Sequence, residues 1–276
     1  MLQVRCKVME QSKTTKRTVA GSIASIYDPM RWILPLVHKA KVLQTLWKDD
    51  SEWDTPLPED RKATWEELIR NIQGYQKELP RCLSSKCAEV HLVTFADASA
   101  EAMATCIYLR TEQGVELLMA KGKLSTLKAE MTIPKMELSV LALAVWLTNS
   151  VVRQIDTVVS IKGVLIPTDS EIVLNWIRAK WRPDQGPSVR NRVHEIQKIV
   201  AYSGENGYHV QFGHISSQLN SADCAMRGLD KTLLREHFWW KSPSFLSQQV
   251  ETWKDIYIYI YIYIYIYIYI YSDCYI

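Results

Sequence analysis

Thirty acidic residues in a chain of 276 allow some four to be fitted to almost any template, so position relative to secondary structure has to discriminate. Asp97 follows directly on the apolar, β-prone run 91–96, and Asp169 follows closely on the run 163–167. In α/β sheets, residues just beyond strand ends line the functional crevice. Glu137 lies in the expected first turn of a long helix that opens near Pro134, a residue suited to that place. Asp223 opens a short helix after the loop Ser217-Gln-Leu-Asn220. If these four carboxylates converge, they repel at neutral pH and need cations to coexist. Hard oxygen ligands select Mg²⁺ or Mn²⁺. Taken singly, each has a plainer role. Asp97 and Asp169 suit turn or helix caps, and Glu137 and Asp223 suit the positive end of a helix dipole.

Other side chains offer chemistry around this set. Arg178, Lys180, Arg182, Arg190 and Arg192 form a dense basic run with Trp176 and Trp181 among them. Such a run fits phosphate contact, because charge neutralisation dominates nucleic-acid affinity; it equally fits a solvated helix face. His214, nine residues before Asp223, is a candidate for proton or product transfer, or a structural residue on its strand. Cys82, Cys87 and His91 come nearest to a zinc pattern but lack the usual spacing. No Asp-Thr-Gly or Asp-Ser-Gly tripeptide exists for an aspartic peptidase. The only adjacent aspartates, Asp49-Asp50, lie at a helix end in an acidic linker and do not form a polymerase palm element. An integrase core would order its acids Asp, Asp, Glu, whereas here Glu comes second.

The elements that must position these residues follow from periodicity. Strands are expected at 91–96, 104–110 and 115–121, with Glu112-Gln-Gly114 as the turn between the second and third. A helix from about Pro134 places Leu138, Leu141, Val145 and Leu147 on or near a buried side. A strand (163–167), two helices (170–179 and 189–202), a strand (208–215) and a short helix near Ala222 follow. The order is that of an α/β mixed five-stranded sheet flanked by helices, with three antiparallel strands first. Before it, a small, mainly helical segment carries one apolar stripe over 34–47 and a second helix from Pro58 through Ile69. Two helices cannot close a core alone, so this segment reads as part of something larger.

On these residues the chain resembles a ribonuclease H-like domain. More narrowly, it resembles the Pol polyprotein of BEL/Pao-type retrotransposons, the segment catalogued as the Pao retrotransposon peptidase family. Thr94-Phe-Ala-Asp97-Ala-Ser, Ile133-Pro-Lys-Met-Glu137-Leu, Pro167-Thr-Asp169-Ser and Asn220-Ser-Ala-Asp223 are similar to the four carboxylate strings. Ser22-Ile-Ala-Ser-Ile-Tyr-Asp-Pro29, the stretch 124–138, Asn191-Arg-Val-His-Glu-Ile196 and Ala222-Asp-Cys-Ala-Met-Arg-Gly228 extend the likeness over about residues 17–246. The family usually reads Tyr-Asp-Pro-Leu-Gly where this chain has Met30 and Arg31, and Pro-Ala-Asp where it has Ser221-Ala-Asp223.

The resemblance implies a helical segment, 1–80, similar to the post-palm (thumb or connection) region of a reverse transcriptase. It implies a ribonuclease H-like domain over 88–246. The implied reaction is metal-dependent hydrolysis of the RNA strand of an RNA–DNA hybrid, the strand marked by its 2′-hydroxyls. Two Mg²⁺ or Mn²⁺ ions, about 4 Å apart, would activate a water and stabilise the leaving 3′-oxygen. Asp97 would bridge both, with Glu137 and Asp169 completing one side and Asp223 the other. The alternative is a catalytically dead relic or a connection module that grips hybrid without cutting it. The implied partners are the hybrid and the rest of a Pol polyprotein.

Composition sets the remaining bounds. Charged residues at 23% and apolar residues at 47% are those of a globular chain. Net charge is only +3, but residues 1–48 hold nine Lys/Arg against two acids, and 49–60 hold six acids and no base. A basic arm of that kind is compatible with nucleic acid. No signal peptide opens the sequence, and no run reaches eighteen strongly apolar residues, so no membrane partner and no small-molecule cofactor are expected. The expected location is intracellular: cytoplasmic, inside a virus-like particle if the element is active, or nuclear. Residues 255–276 hold eight Ile-Tyr pairs, as an (AT) repeat reads in translation, and that tail is expected to carry no evolved function.

Overall fold

In the computed structural model, which describes residues 1–8, 13–42, 52–80, 82, 88–125, 131–179, 185–249 and 257–259, the chain begins with β1 (Leu2–Arg5), α1 (Lys16–Ala24), α2 (Leu34–Val42), α3 (Glu59–Ile72) and β2 (Gln76–Leu79). Then come β3 (Glu89–Ala98), β4 (Ala102–Thr111), β5 (Gly114–Leu124), α4 (Ile133–Ile155) and β6 (Ser160–Thr168). α5 (Glu171–Arg178), α6 (Gly186–Glu205), β7 (Val210–His214), α7 (Ser221–Arg227), α8 (Lys231–Glu236) and β8 (Tyr257–Tyr259) complete it.

The expected five-stranded sheet forms in the order β5-β4-β3-β6-β7. β3, β4 and β5 are an antiparallel meander; β6 runs parallel to β3, and β7 parallel to β6. Thr111 shapes the β4–β5 turn: its hydroxyl accepts from the Gln113 N–H at 3.1 Å and donates to the Gly114 carbonyl at 3.3 Å. β3 reads as a nearly continuous buried run because both of its faces are covered, the mark of a central strand in an α/β sheet. Val90, Leu92 and Ala96 face a core shared with α4, α5 and α6, while Val93 and Phe95 face a second core on the other side. Three residues of the Ile-Tyr tail, β8, add antiparallel to β7 as a sixth strand.

α4 buries Leu138, Leu141, Val145 and Leu147, as its periodicity predicts. Among the described residues, this one helix is long and apolar enough on average to cross a membrane (mean hydropathy 1.4), although polar residues such as Asn149 and Arg153 interrupt it. Its apolar face lies against the sheet, and such composition is usual for the central helix of a large core.

The second core is where the N-terminal region goes. α2 starts at Leu34 as expected and is described to Val42; its expected continuation to Trp47, and Asp49-Asp50, lie outside the described residues. α3 runs three residues beyond the expected Ile69. The region also holds a short antiparallel pair, β1 with β2, that the polar sequence Gln76-Lys-Glu-Leu79 does not announce. Ile33, Leu34, Leu36, Val37, Trp65, Ile72 and Tyr75 share one apolar cluster with Phe95, Tyr108 and Leu117 of the sheet and with Trp239 beyond α8. The face that two helices could not close alone is therefore closed on the sheet.

The string Tyr27-Asp-Pro29 makes that docking. Asp28 is buried and caps the approach to α2, accepting from the Trp32 N–H at 2.9 Å and the Ile33 N–H at 3.0 Å. The next carbonyl but one, that of Met30, accepts from Ala120 N–H of β5 at 2.9 Å, and the Trp32 indole donates to Leu118 O at 2.9 Å. Gly122 lets α2 lie close on β5: a Cβ there would stand 2.8 Å from Leu34 Cδ1. On the far side of α2, Gly228 ends α7 at φ +74, and the following Leu229 N–H donates to Pro35 O at 3.0 Å.

Candidate active site

Each of the four carboxylates is placed by a different element. Asp97 is the penultimate residue of β3 and is partly buried. Asp169 follows the last residue of β6, and because β3 and β6 are parallel, both acids lie at the same end of the sheet. Asp223 is the third residue of α7, whose N-cap Asn220 accepts from the Ala222 N–H. Glu137 corrects the sequence reading: α4 begins at Ile133, so Glu137 is its fifth residue and no acid stands in the first turn. Attraction to the helix dipole, which fades after that turn, does not account for it. α8 follows α7.

Three of these acids are held by named donors. Ser170, the buried N-cap of α5, donates its hydroxyl to Glu137 Oε2 at 2.5 Å while accepting from the Val173 N–H at 3.4 Å. Ser217 donates to Asp169 Oδ2 at 2.7 Å. Arg227, one helical turn after Asp223, donates through Nε to Asp223 Oδ1 at 2.9 Å. Asp97 lies among them. Burial and the nearby charges of Asp169, Asp223 and Glu137 push its carboxyl up from 3.8 to about 7, opposed by a hydrogen bond from the Ala98 backbone. Asp97 thus feels the charge of each of the other three acids. Among the described residues, however, no three His, Cys, Asp or Glu side chains are grouped as a metal ion would need. Ser170, Ser217 and Arg227 each engage one oxygen of Glu137, Asp169 and Asp223, respectively.

The other expected residues are spread more widely. Arg178 ends α5, and Arg190 and Arg192 sit on the first turns of α6; all three are exposed. Arg192 pairs with Glu195 at 2.6 Å. Arg178 is seven residues along α5 from its start, or ~10 Å from the Ser170 end. Lys180, Arg182, Trp181 and Cys87 lie outside the described residues. His214 ends β7 opposite Thr168, which puts it at the same end of the sheet as Asp169. Sequence reasoning gave no role to Ser170, Ser217, Asn220 or Arg227. Ser and Asn before a helix are common caps, so only their spatial neighbours distinguish them.

A mixed sheet with three antiparallel strands, two parallel additions and an acidic cluster at the strand ends defines a ribonuclease H-like fold. The chain belongs to the family described as the Pao retrotransposon-like RNaseH-like domain, whose model matches residues 15–170. That match contains Asp97, Glu137 and Asp169 and ends before Asp223, a shorter span than the likeness over 17–246 that the sequence suggested. It begins at the N-cap of α1, so the N-terminal helices belong to the family pattern. No curated protein matches the chain. Among solved structures, it is similar to an RNase H1 of the halophilic archaeon Halobacterium salinarum NRC-1 (14% identity, 50% of this chain and 93% of that one, TM-score 0.35). It is also similar to LC11-RNase H1 in complex with an RNA/DNA hybrid (18%, 49% and 91%, TM-score 0.36). A further likeness is to the protease-reverse transcriptase of prototype foamy virus (11%, 70% and 29%, TM-score 0.31).

Proposed function

We propose that this domain hydrolyses the RNA strand of RNA–DNA hybrids, with two divalent cations held by Asp97, Glu137, Asp169 and Asp223. The observation that carries the reading is Asp97: a carboxyl pushed up to about 7 by burial and by three acids from three other elements. Strongly perturbed acids facing other acids are concentrated at functional sites, which supports this reading. The donor set fits the cations, being oxygen-only and multiply anionic, which suits Mg²⁺ or Mn²⁺ and excludes softer metals. Bound there, such ions would supply a water of lowered pKa and charge stabilisation at the leaving oxygen.

The chain's own residues do the rest. Asp97 stands central to the other three acids. Ser170 and Ser217 orient Glu137 and Asp169 through hydroxyls that stay available whether or not a cation is present. Arg227 balances the charge of Asp223 in the cation-free protein. Arg178, Arg190 and Arg192, with Lys180 and Arg182, would meet phosphates of the hybrid beyond the cut. We further propose that the chain functions as part of a Pol polyprotein, with residues 1–80 connecting it to the polymerase.

The test is cleavage of a labelled RNA–DNA hybrid by the full chain in Mg²⁺ and then Mn²⁺, beside Asp97→Asn. Cleavage that the substitution and EDTA both abolish is the expected result. One observation favours a second reading: Arg227 pairs with Asp223, and among the described residues no three acids are gathered as a metal ion would need. A non-catalytic hybrid-binding module would bind without Mg²⁺ and cut in neither metal.

A further inference from the structure

Asn220 is almost wholly buried, at 1% exposure, and both ends of its amide are used. Its Oδ1 accepts from the Ala222 N–H at 3.1 Å, capping α7. Its Nδ2 crosses to β3 and donates to the carbonyl of Ala96, the residue before Asp97, at 3.0 Å. Asp223 lies three residues further along the chain and its N–H donates to Asn220 O at 3.0 Å, so Asp223 sits in the turn that Asn220 anchors. The same loop is fixed to β6 as well, through Ile215 N–H to Thr168 O at 3.1 Å and Ser217 to Asp169 at 2.7 Å.

A cap needs only the acceptor oxygen. The amide donor does something different, because it ties the strand that carries Asp97 to the helix that carries Asp223. These two acids repel each other; the apolar face of α7 packs on the sheet, and the Asn220 amide adds the directed tie beside Asp97. We infer that Asn220 is a positioning residue for the cation site, setting the spacing of Asp97 and Asp223 through its bridge from α7 to the end of β3. The inference rests on the nuclease reading above and adds to it a residue that touches neither cation nor substrate.

Asn220→Ser separates the two duties. Serine caps a helix about as well as asparagine, but it is too short to reach Ala96 O. In the full chain, with Mn²⁺ binding followed by calorimetry, the expected result is a folded protein whose Mn²⁺ affinity falls ~10-fold or more, the usual effect of removing a residue that orients ligands. Hybrid cleavage should lose kcat with KM unchanged, and excess Mn²⁺ should restore part of it. A variant that melts earlier yet binds Mn²⁺ within two-fold of the wild type overturns the inference and leaves Asn220 a cap. If Asn220→Ser does not fold, Asn220→Asp keeps both size and cap while replacing the donor; weaker Mn²⁺ binding supports the bridge, and unchanged or tighter binding overturns it. A wild type that binds no Mn²⁺, or binds it equally with Asp97→Asn, overturns the nuclease reading and the inference with it. Normal wild-type binding that Asp97→Asn abolishes and Asn220→Ser leaves intact overturns the inference alone.

Discussion

The two faces of the sheet are closed in different ways. On one, α4, α5 and α6 follow the strands they cover, and each presents a periodic apolar stripe that the sequence displays. On the other, the cover is assembled from the two ends of the chain: α2 and α3 from before the sheet, α7, α8 and Trp239 from after it. The Trp239 indole donates to Trp32 O at 2.7 Å across 207 residues, and Lys231 reaches back to Asn71 and Arg70. A face covered by neighbours in sequence can be recognised from periodicity. A face covered from a distance shows only as apolar surface with no visible partner, which is why residues 1–80 read as incomplete.

The largest test of this contrast is to begin the chain at residue 85. That removes Ile33, Leu34, Leu36, Val37, Trp65, Ile72 and Tyr75 from the shared core. At ~1.5–3 kcal/mol for each large buried side chain, the loss is comparable with the ~5–15 kcal/mol that holds a typical domain together. The expected product has secondary structure but no cooperative melt and no near-ultraviolet circular dichroism. A shortened chain that melts sharply would show that the N-terminal region is an appendage.

Point substitutions sharpen the same comparison. Leu34 on α2 and Leu141 on α4 are both almost fully buried, one on each side of the sheet. Leu34→Ala and Leu141→Ala are expected to cost similar amounts, each ~2–5 kcal/mol in urea titration. A neutral Leu34→Ala beside a costly Leu141→Ala would break the equivalence of the faces.

The candidate site was legible in part for the same reason. Asp97 and Asp169 were visible because strand ends can be read from apolar runs, and Asp223 because a helix start follows its loop. Glu137 was assigned to the wrong turn, since Pro134 is the second residue of α4 and helix starts are uncertain by a residue or two. Ser170, Ser217 and Asn220 were not legible as site residues. Their partners, Glu137, Asp169 and Ala96 O, lie 33, 48 and 124 positions away. Capping preference is local, and it says nothing about what the other side of a cap touches.

Asp97 gives the next effect in size. Its carboxyl titrates at about 7 in the folded, cation-free protein against an ordinary 3.8. A raised acid favours the folded state while protonated, so its contribution is fully present below pH 3.8 and lost as pH rises through 7. Asp97→Asn should therefore melt like the wild type near pH 4 and be more stable at pH 8 by ~1–3 kcal/mol in EDTA. Saturating Mg²⁺ should reverse the order, because only the wild type keeps its full ligand set. Equal stability of the two proteins at pH 8 would show that the four acids do not form one cluster.

The smallest effect tests how well the distant cover is fitted. Arg31 adopts φ +58, the left-handed region that costs a residue with a Cβ ~1–2 kcal/mol. It stands where the family usually has glycine, and the backbone around it is fully committed: Arg31 N–H donates to Asp28 O at 3.1 Å, and Leu34 N–H donates to Arg31 O at 3.2 Å. Its side chain is exposed, so Arg31→Gly removes strain without opening the core. Glycine also gains freedom in the unfolded chain, which offsets part of the relief. The net expectation is a gain of ~0.5–1 kcal/mol, read as a rise of roughly 1–4 °C in melting temperature for a chain of this size. Loss of stability in Arg31→Gly would mean that the left-handed turn joining α2 to β5 is held by the arginine side chain itself, not imposed on it by docking.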